Sequence, residues 1–344
     1  MEFDGLRGDG LLRDESSREK ISGVDALVDE LLPPAGGIDL PPVRAVLFDR
    51  IHGGWIGRCL GAREARQGLG SGPAEDRSDA VDRAVLSLRV LESYGPGFTS
   101  AQVGGLWLLT LPFLRAFAAE QAAYLRLLEG DLPPTTAGDG SGSGEAMTRA
   151  DLYGYVAPGD PRRAARLARK DAVVSHAGEG VYAAMWCAAL AAAAFTARDA
   201  AQAVGVSLRH VPVKSGVSRV VRDVLVASAR GWAWDQVVAE VRRESGSDDR
   251  HDASGSAGLI AAGLLWGDAD PARQIGLTVR GGWDVHATAP LVGSIAGVLH
   301  GAEAGWPEGA ATRVETALPG EGVCALRQLA RRTLAVSGTE LPLR

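Results

Sequence analysis

The chain has 344 residues and a formal net charge of −6, and 46% of its residues are hydrophobic. That hydrophobic content is enough for a substantial core in one large domain or in two ordinary ones. The acidic balance gives the chain no overall basic character that would favour nucleic acid or anionic lipid, and it leaves local basic patches open. We therefore expect small-molecule partners, no nucleic acid and no membrane, and the sequence leaves the oligomeric state open.

Targeting and redox signals are few. The opening segment MEFDGLRGDGLLRDESS is charged and glycine-rich and lacks the apolar stretch of a secretory signal, which predicts a cytoplasmic protein. The longest apolar run, Val181 to Phe195, is shorter than the roughly 20 residues that span a bilayer and predicts a buried helix. Cys59, Cys187 and Cys324 are odd in number and widely spaced, which predicts reduced thiols.

The first part of the chain differs from the rest. Residues 1–42 are polar, end in the proline-rich LLPPAGGIDLPP and show no sustained hydrophobic periodicity. Such a composition predicts a flexible or loosely docked N-terminal arm. We expect residues 43–344 to form a single all-α domain.

Helical periodicity dominates this body. Ser78 is a candidate N-cap for an amphipathic helix that ends at Gly95, which precedes a proline. Asp160 before Pro161 predicts the N-cap and first turn of a helix that reaches about Val174. No alternating pattern predicts a strand. Further helices are predicted over residues 178–195, 199–209, 218–230, 234–244, 256–266, 271–279, 290–304 and 323–336.

Small residues mark both packing and loops. Residues 131–144 and 245–256, which are rich in Gly, Ser, Pro and Asp, are predicted to be exposed loops that flank a site.

In the late helix, glycine at every fourth position predicts a stripe without side chains that a second helix can approach closely. These glycines are Gly293, Gly297, Gly301 and Gly305.

Four segments, taken in order, resemble the ADP-ribosylglycohydrolase family over about residues 47–305. They are RIHGGWIGRCLGA from Arg50, SDAVDRAVLSLRVLESYG from Ser78, RADLYGYVAPGDPRRAARLARKDAVVSHAGEGVYAAM from Arg149 and GGWDVHATAPLVGSIAGVLHGAEAG from Gly281. The resemblance implies a compact orthogonal helical bundle. It also implies cleavage of an N- or O-glycosidic bond to ribose with bound Mg²⁺ or Mn²⁺.

The first metal motif of that family is altered in this chain. In the family the second segment opens with Ser or Thr, two aspartates and Thr, whose oxygens hold the metals. Ser78 and Asp79 match this motif and are implied metal ligands. Ala80 and Val81 replace the second aspartate and the threonine, so one carboxylate is lost.

The late motif is altered as well. The family's Gly-Gly-Trp-Asp-Thr-Asp is matched at Asp284, an implied metal ligand, whereas Val285 and His286 replace Thr and the second Asp. Mg²⁺ takes about six oxygen ligands, and imidazole suits other metals better. The sequence predicts a weak site for one Mg²⁺ or Mn²⁺, or a metal-independent enzyme.

A different set of side chains is predicted to carry the chemistry. Glu179 stands where the family usually has Asn, and we hypothesise that Asp79, Glu179 and Asp284 are the working carboxylates. One would orient water toward the anomeric carbon, and the others would stabilise the oxocarbenium-like transition state. His286 acts either as a cation that partly replaces the lost metal charge or as the proton donor to the leaving group.

The resemblance also implies substrate-binding residues, which are Arg149, Asp151, His176, Gly178, Tyr182 and Trp283. A surface ion pair is an alternative for Arg149 and Asp151, and a capping pair is an alternative for His176 and Glu179. His251 matches a family histidine on a loop, where most histidines are solvated.

Structural alternatives exist for the proposed catalytic residues too. Asp79 and Asp284 both stand where aspartates commonly cap helices, and an isolated histidine such as His286 is often a hydrogen-bonded core residue. The sequence thus favours a ribosyl hydrolase with a changed substrate, for example in a specialised metabolic pathway. The rival hypotheses are a non-catalytic sensor or scaffold that binds ADP-ribose or a nucleotide, and a purely structural protein.

Overall fold

The computed structural model describes residues 44–68, 79–138, 142–247, 249–307 and 310–337. Within these ranges almost all regular structure is helical, which confirms the predicted all-α class. The predicted arm, residues 1–42, lies outside the described residues, so the division of the chain at residue 43 stays a prediction.

Fourteen α-helices are present in these ranges, and we number them in chain order. They are α1 Arg44–Gly68, α2 Asp79–Tyr94, α3 Ser100–Thr110, α4 Ala118–Leu128, α5 Asp151–Tyr155, α6 Pro161–Ala172, α7 Glu179–Ala194, α8 Ala200–Ser207, α9 Gly216–Ala229, α10 Trp234–Ser245, α11 Ala253–Trp266, α12 Pro271–Gly281, α13 Val285–His300 and α14 Leu326–Val336. Short 3₁₀ helices are Phe113–Arg115, Glu145–Arg149 and Leu208–His210, and an antiparallel pair joins β1 Arg313–Glu315 to β2 Val323–Ala325.

Local signals located several helix ends. Helix α2 ends before Gly95, whose φ of 65° is left-handed and stops the helix as predicted. At the start of α6, the Asp160 side chain accepts a hydrogen bond of 2.9 Å from the backbone N–H of Arg163, and Pro161 is the first helical residue. The predicted N-cap at Asp160, followed by proline in the first turn of the helix, is therefore confirmed.

The predicted start of the late helix was wrong. Helix α13 begins at Val285, not at Pro290, because the backbone oxygen of Asp284 already accepts a 2.8 Å hydrogen bond from the N–H of Thr288. Pro290 lies inside the helix, where it removes one backbone donor without ending the helix. The helix ends at His300 because Gly301 has a φ of 82°.

Helices α3, α4 and α5 and the two short strands were not predicted. The helix predicted over residues 323–336 begins only at Leu326, because Val323–Ala325 form β2. Helix α3 is apolar on most sides and contains two glycines, so its sequence has no clear helical period. A capping box between Thr99 and Gln102 was the available signal.

Helices α1 and α13 cross through glycines. A Cβ atom on Gly57 would lie 2.0 Å from the carbonyl oxygen of Gly293, and one on Gly53 would lie 2.4 Å from that of Gly297. The predicted stripe is therefore confirmed within the helix. Gly305 lies beyond the end of α13, and a Cβ atom there would meet nothing within 4 Å, so it is not part of the contact.

The apolar run from Val181 forms most of α7, which is almost completely buried, as predicted. In the part of the chain that the structure describes, no helix has both the length and the apolar character needed to cross a bilayer. Cys59, Cys187 and Cys324 are buried free thiols, in agreement with the expectation of reduced cysteines.

Replacing Gly57 with alanine should destabilise the protein by about 3 kcal/mol, because the added methyl group forces two helix backbones apart. Gly276→Ala is the matched control, since a Cβ atom there meets nothing within 4 Å. That control should leave stability unchanged or raise it by up to about 1 kcal/mol through helix propensity. Urea denaturation of both variants measures the difference, and equal stabilities would contradict the backbone contact.

Candidate functional site

A cavity of about 340 Å³ opens between the C-terminal part of α1, the N-termini of α2 and α13, the two 3₁₀ segments around Arg115 and Glu145, and the loop that carries His251. It brings Asp79 and Asp284 together with His286, although these residues belong to helices at opposite ends of the sequence. The full lining is Ala62, Arg66, Asp79, Ala80, Arg115, Phe117, Glu145, His251, Asp284 and His286. The cavity therefore combines three carboxyl groups with two guanidinium and two imidazole groups.

Asp79 is the first residue of α2 and faces a cation. Its Oδ1 lies 3.3 Å from Nη1 of Arg115, and both side chains are 44% exposed. Such an exposed pair stabilises the fold by less than about 1 kcal/mol. The contact orients the Asp79 carboxylate at the cavity wall more than it stabilises the protein.

Asp284 occupies the N-cap position of α13, but only its backbone acts as a cap. The backbone oxygen accepts from the N–H groups of Ala287 and Thr288, while the side chain makes no capping hydrogen bond. Instead its Oδ2 lies 2.8 Å from Nδ1 of His251. The backbone thus satisfies the helix, and the carboxylate is left to form an aspartate–histidine pair in the cavity.

His286 and His251 supply the imidazoles. His286 is exposed at the rim of the cavity, which excludes the alternative of a core histidine. His251 lies in the loop before α11, and its backbone oxygen accepts a 2.7 Å hydrogen bond from the N–H of Gly144. That bond, together with a bridge between Ser143 and Asp252, joins the two predicted loops beside the cavity.

The ligand atoms present do not fit the two-metal site that the family resemblance implies. Ala80 lines the cavity without offering an oxygen, and the carboxylates of Asp79 and Asp284 face Arg115 and His251. Across the described ranges, no three His, Cys, Asp or Glu side chains are close enough to hold an ion. Ser78 lies outside the described residues. A hard cation needs more oxygen ligands than this set provides.

Glu179 is placed elsewhere. Its two carboxylate oxygens accept hydrogen bonds of 2.9 and 3.0 Å from the backbone N–H groups of Gly216 and Val217, the first residues of α9. It does not line the cavity. Glu179 therefore caps α9, and the structure does not bring it together with Asp79 and Asp284. Glu179 does cap a helix, as the structural alternative proposed, but the contact is with α9 and not with His176.

Arg149 and Asp151 are buried instead of forming a surface pair. Arg149 bonds to Asp171 and Glu120 and lies 4.8 Å above the ring of Trp107. Asp151 pairs with Arg58 and accepts from Ser294. Both side chains are at most 1% exposed, so they hold the fold behind the site and do not line the cavity.

The other implied substrate-binding residues do not line this cavity. Trp283 is 8% exposed and packs against α11, where a Cβ atom on Gly255 would lie 2.2 Å from its ring. Gly178 has a φ of 51° and precedes α7, and Tyr182 is half-buried one turn further along that helix. Their contact with a substrate stays a prediction.

Sequence reasoning missed four lining residues with charged or aromatic side chains, namely Arg66, Arg115, Phe117 and Glu145. The useful signal for Glu145 was its position directly after the first predicted loop, and His251 lies in the second. For Arg115 and Phe117 no local signal existed, because the segment between α3 and α4 reaches the cavity only through packing.

An all-α body whose cavity gathers carboxylates, imidazoles and guanidinium groups has the composition of an enzyme site for a small polar substrate. The sequence profile of the ADP-ribosylglycohydrolase family matches residues 44–341. An ADP-ribosylglycohydrolase-related protein complex of known structure is similar, with a TM-score of 0.50 and 17% sequence identity. The match covers 85% of this chain and 98% of that chain.

Comparison with curated protein sequences gives no significant match. The chain belongs to the ADP-ribosylglycohydrolase family, and its fold is that of the structural relative. Membership indicates a glycosidic-bond hydrolase of this type.

The buried position of His176 predicts that stability depends on pH. Its ring nitrogens lie 2.7 Å from Ser175 Oγ and 3.2 Å from Ser143 Oγ. Burial, and then the nearby Arg149, lower the pKa of His176 well below its ordinary value of 6.5. The folded state therefore keeps the ring neutral, while the unfolded state binds a proton as the pH falls below that value.

The free energy of unfolding should decline more steeply between about pH 7 and pH 5 in the natural protein than in a His176→Gln variant. The difference is at most about 1.4 kcal/mol per pH unit, the contribution of one proton. Chemical denaturation at the two pH values measures it. Parallel declines would show that His176 is not held neutral.

Proposed function

We propose that this protein hydrolyses the glycosidic bond between the anomeric carbon of a ribosyl group and a small leaving group. The substrate class comprises ADP-ribosyl compounds, nucleotide-derived metabolites and N-ribosides. One observation carries the proposal: in a chain of this family, Asp79 and Asp284 line the same cavity.

Two carboxylates at one cavity suit the charge that this reaction develops. As the leaving group departs, positive charge appears on the anomeric carbon and the ring oxygen. Negative side chains fixed beforehand in a partly enclosed site stabilise that charge more effectively than mobile water does. Asp79 and Asp284 have this role in the proposal, and Arg115 and His251 orient them.

His286 has a binding role in this proposal. It lies two residues after Asp284, in the first turn of α13, and it is exposed at the cavity rim. Arg66 and Arg115 line the same cavity. These groups provide donors for the oxygens of a ribosyl phosphate or of a comparable anionic substituent.

Asn variants test the two aspartates. Asp79→Asn and Asp284→Asn should each lower kcat by about 10²–10³-fold, the range for removing one preorganised electrostatic contact. Chromatographic detection of the released ribosyl product from a panel of ribosides measures turnover. Unchanged turnover in both variants would exclude the proposed role of the carboxylates.

Glu179→Ala is the matched control, because Glu179 caps α9 and does not line the cavity. Loss of its charged hydrogen bonds should lower stability by about 1–3 kcal/mol. Its kcat should remain within about twofold of the natural value, well short of the effect expected for the aspartates.

We further propose that the reaction does not require a divalent metal. The proposal is supported by the pairing of both aspartates with Arg115 and His251 and by the replacement of a family carboxylate at Ala80. The family's metals would have drawn their oxygen ligands from these same positions.

Exhaustive treatment with a chelator should leave kcat/KM within about twofold of the untreated value, since no catalytic charge is removed. Steady-state kinetics after dialysis, with and without added Mg²⁺ or Mn²⁺, measure this. A tenfold or greater stimulation by either ion would show that Asp79 and Asp284 still bind metal.

The pairing of both aspartates also fits a second candidate, a non-catalytic homologue that binds ADP-ribose or a nucleotide. Ligand binding would then raise the melting temperature without release of any product. The hydrolase proposal expects both effects from the natural protein.

A further inference from the structure

Glu145 differs from the two aspartates of the cavity. Asp79 and Asp284 face Arg115 and His251 respectively. Glu145 forms no ion pair with a lysine or arginine among the described residues, and its Oε2 is buried without a hydrogen-bond partner. A buried carboxyl oxygen without a partner is costly when the group is ionised, so this position favours the protonated acid.

The backbone around Glu145 is held firmly. Glu145 begins the 3₁₀ helix that ends at Arg149, and its carbonyl oxygen accepts a 2.7 Å hydrogen bond from Thr148 Oγ1. At the far end of the helix, the buried Arg149 bonds to Asp171 and Glu120. The N–H of the preceding Gly144 donates a 2.7 Å hydrogen bond to the backbone oxygen of His251, so the backbone on both sides of Glu145 is held in place.

We propose that Glu145 is the general acid that protonates the leaving group when the ribosyl bond breaks. This inference rests on the proposed function, because it assigns a step within that hydrolysis. Two observations support this role: Glu145 lines the same cavity as Asp79 and Asp284, and its buried Oε2 has no hydrogen-bond partner, so no protein group competes for a proton on that atom.

The electrostatics of the cavity agree with this role. Burial first, and then the negative charges of Glu120 on α4 and of Asp284 at the N-cap of α13, raise the pKa of Glu145. The backbone N–H of Ala119 and the His251 ring act in the opposite direction, and the net shift is upward. Arg66, Asp79, Arg115 and His286 complete the charged and titratable groups around the cavity. A carboxyl group in such an environment is suited to hold a proton and to donate it as an acid.

The proton balance of the step is as follows. The Glu145 carboxyl proton moves to the leaving nitrogen or oxygen as the bond from that atom to the anomeric carbon breaks with its electron pair. A water oxygen forms the new bond to the anomeric carbon, and its proton passes to the Asp284 carboxylate. The products are the free ribosyl sugar and the protonated leaving group, and both carboxyl groups return to their starting forms by exchange with solvent.

Leaving-group chemistry tests the assignment. Glu145→Gln keeps the size of the side chain but cannot give up a carboxyl proton. On a riboside with a poor leaving group, such as an alkylamide, the variant should lose about 10²–10⁴-fold in kcat. On a nitrophenyl riboside, whose leaving group departs without protonation, the loss should be less than about tenfold. Glu129→Gln, at an exposed glutamate after α4, is the control and should match the natural enzyme on both substrates.

Each other outcome has a definite meaning. Equal losses on both substrates would assign Glu145 a structural role, and no loss on either would remove it from the reaction, so both results overturn the inference. A failure of the natural protein to cleave any riboside would instead overturn the proposed function, and this inference with it.

A second measurement does not depend on turnover. The side-chain carboxyl carbon of Glu145, assigned by its absence from the Glu145→Gln spectrum, can be titrated by ¹³C NMR. Its midpoint should lie above 4.5, the ordinary glutamate value. A midpoint at or below that value would overturn the assignment of Glu145 as the acid.

Discussion

The crossing of α1 and α13 through their backbones is the constraint on which the site depends. At Gly57 and Gly293 the two helix backbones are so close that neither position has room for a methyl group. Close-packed backbones can slide or rotate very little before atoms overlap. The contact therefore fixes the start of α13, with Asp284 and His286, relative to the end of α1, with Ala62 and Arg66.

A second, polar layer supports the opposite wall of the cavity. Buried ion pairs between Arg149, Asp171 and Glu120 hold the 3₁₀ helix that presents Glu145. Removing one member of such a group would leave an uncompensated buried charge, so these residues specify position more than they add stability. The family resemblance implied that Arg149 binds substrate. In the structure Arg149 does not line the cavity, and it holds the segment that carries Glu145 through its ion pairs.

The side chains of this cavity differ from those that the family resemblance implies. Where carboxylates are lost at Ala80 and His286, the remaining aspartates face Arg115 and His251. Mixed charges of this kind can bind and polarise a ribosyl substrate with protein groups alone. In the proposed reaction, this family fold therefore uses a different set of side chains from the one that the resemblance implies.

The sequence by itself determined the helical class, most helix positions, the glycine stripe and the family, since these follow from short-range periodicity and ordered motifs. It also predicted that Asp79, Asp284 and His286 belong to one site, and all three line the cavity. Only the tertiary structure decided that Glu179 caps α9, and that Arg115, His251 and Glu145 complete the cavity. The reason is physical: hydrogen-bond partners and burial arise between segments distant in sequence, and no local pattern records which segments meet.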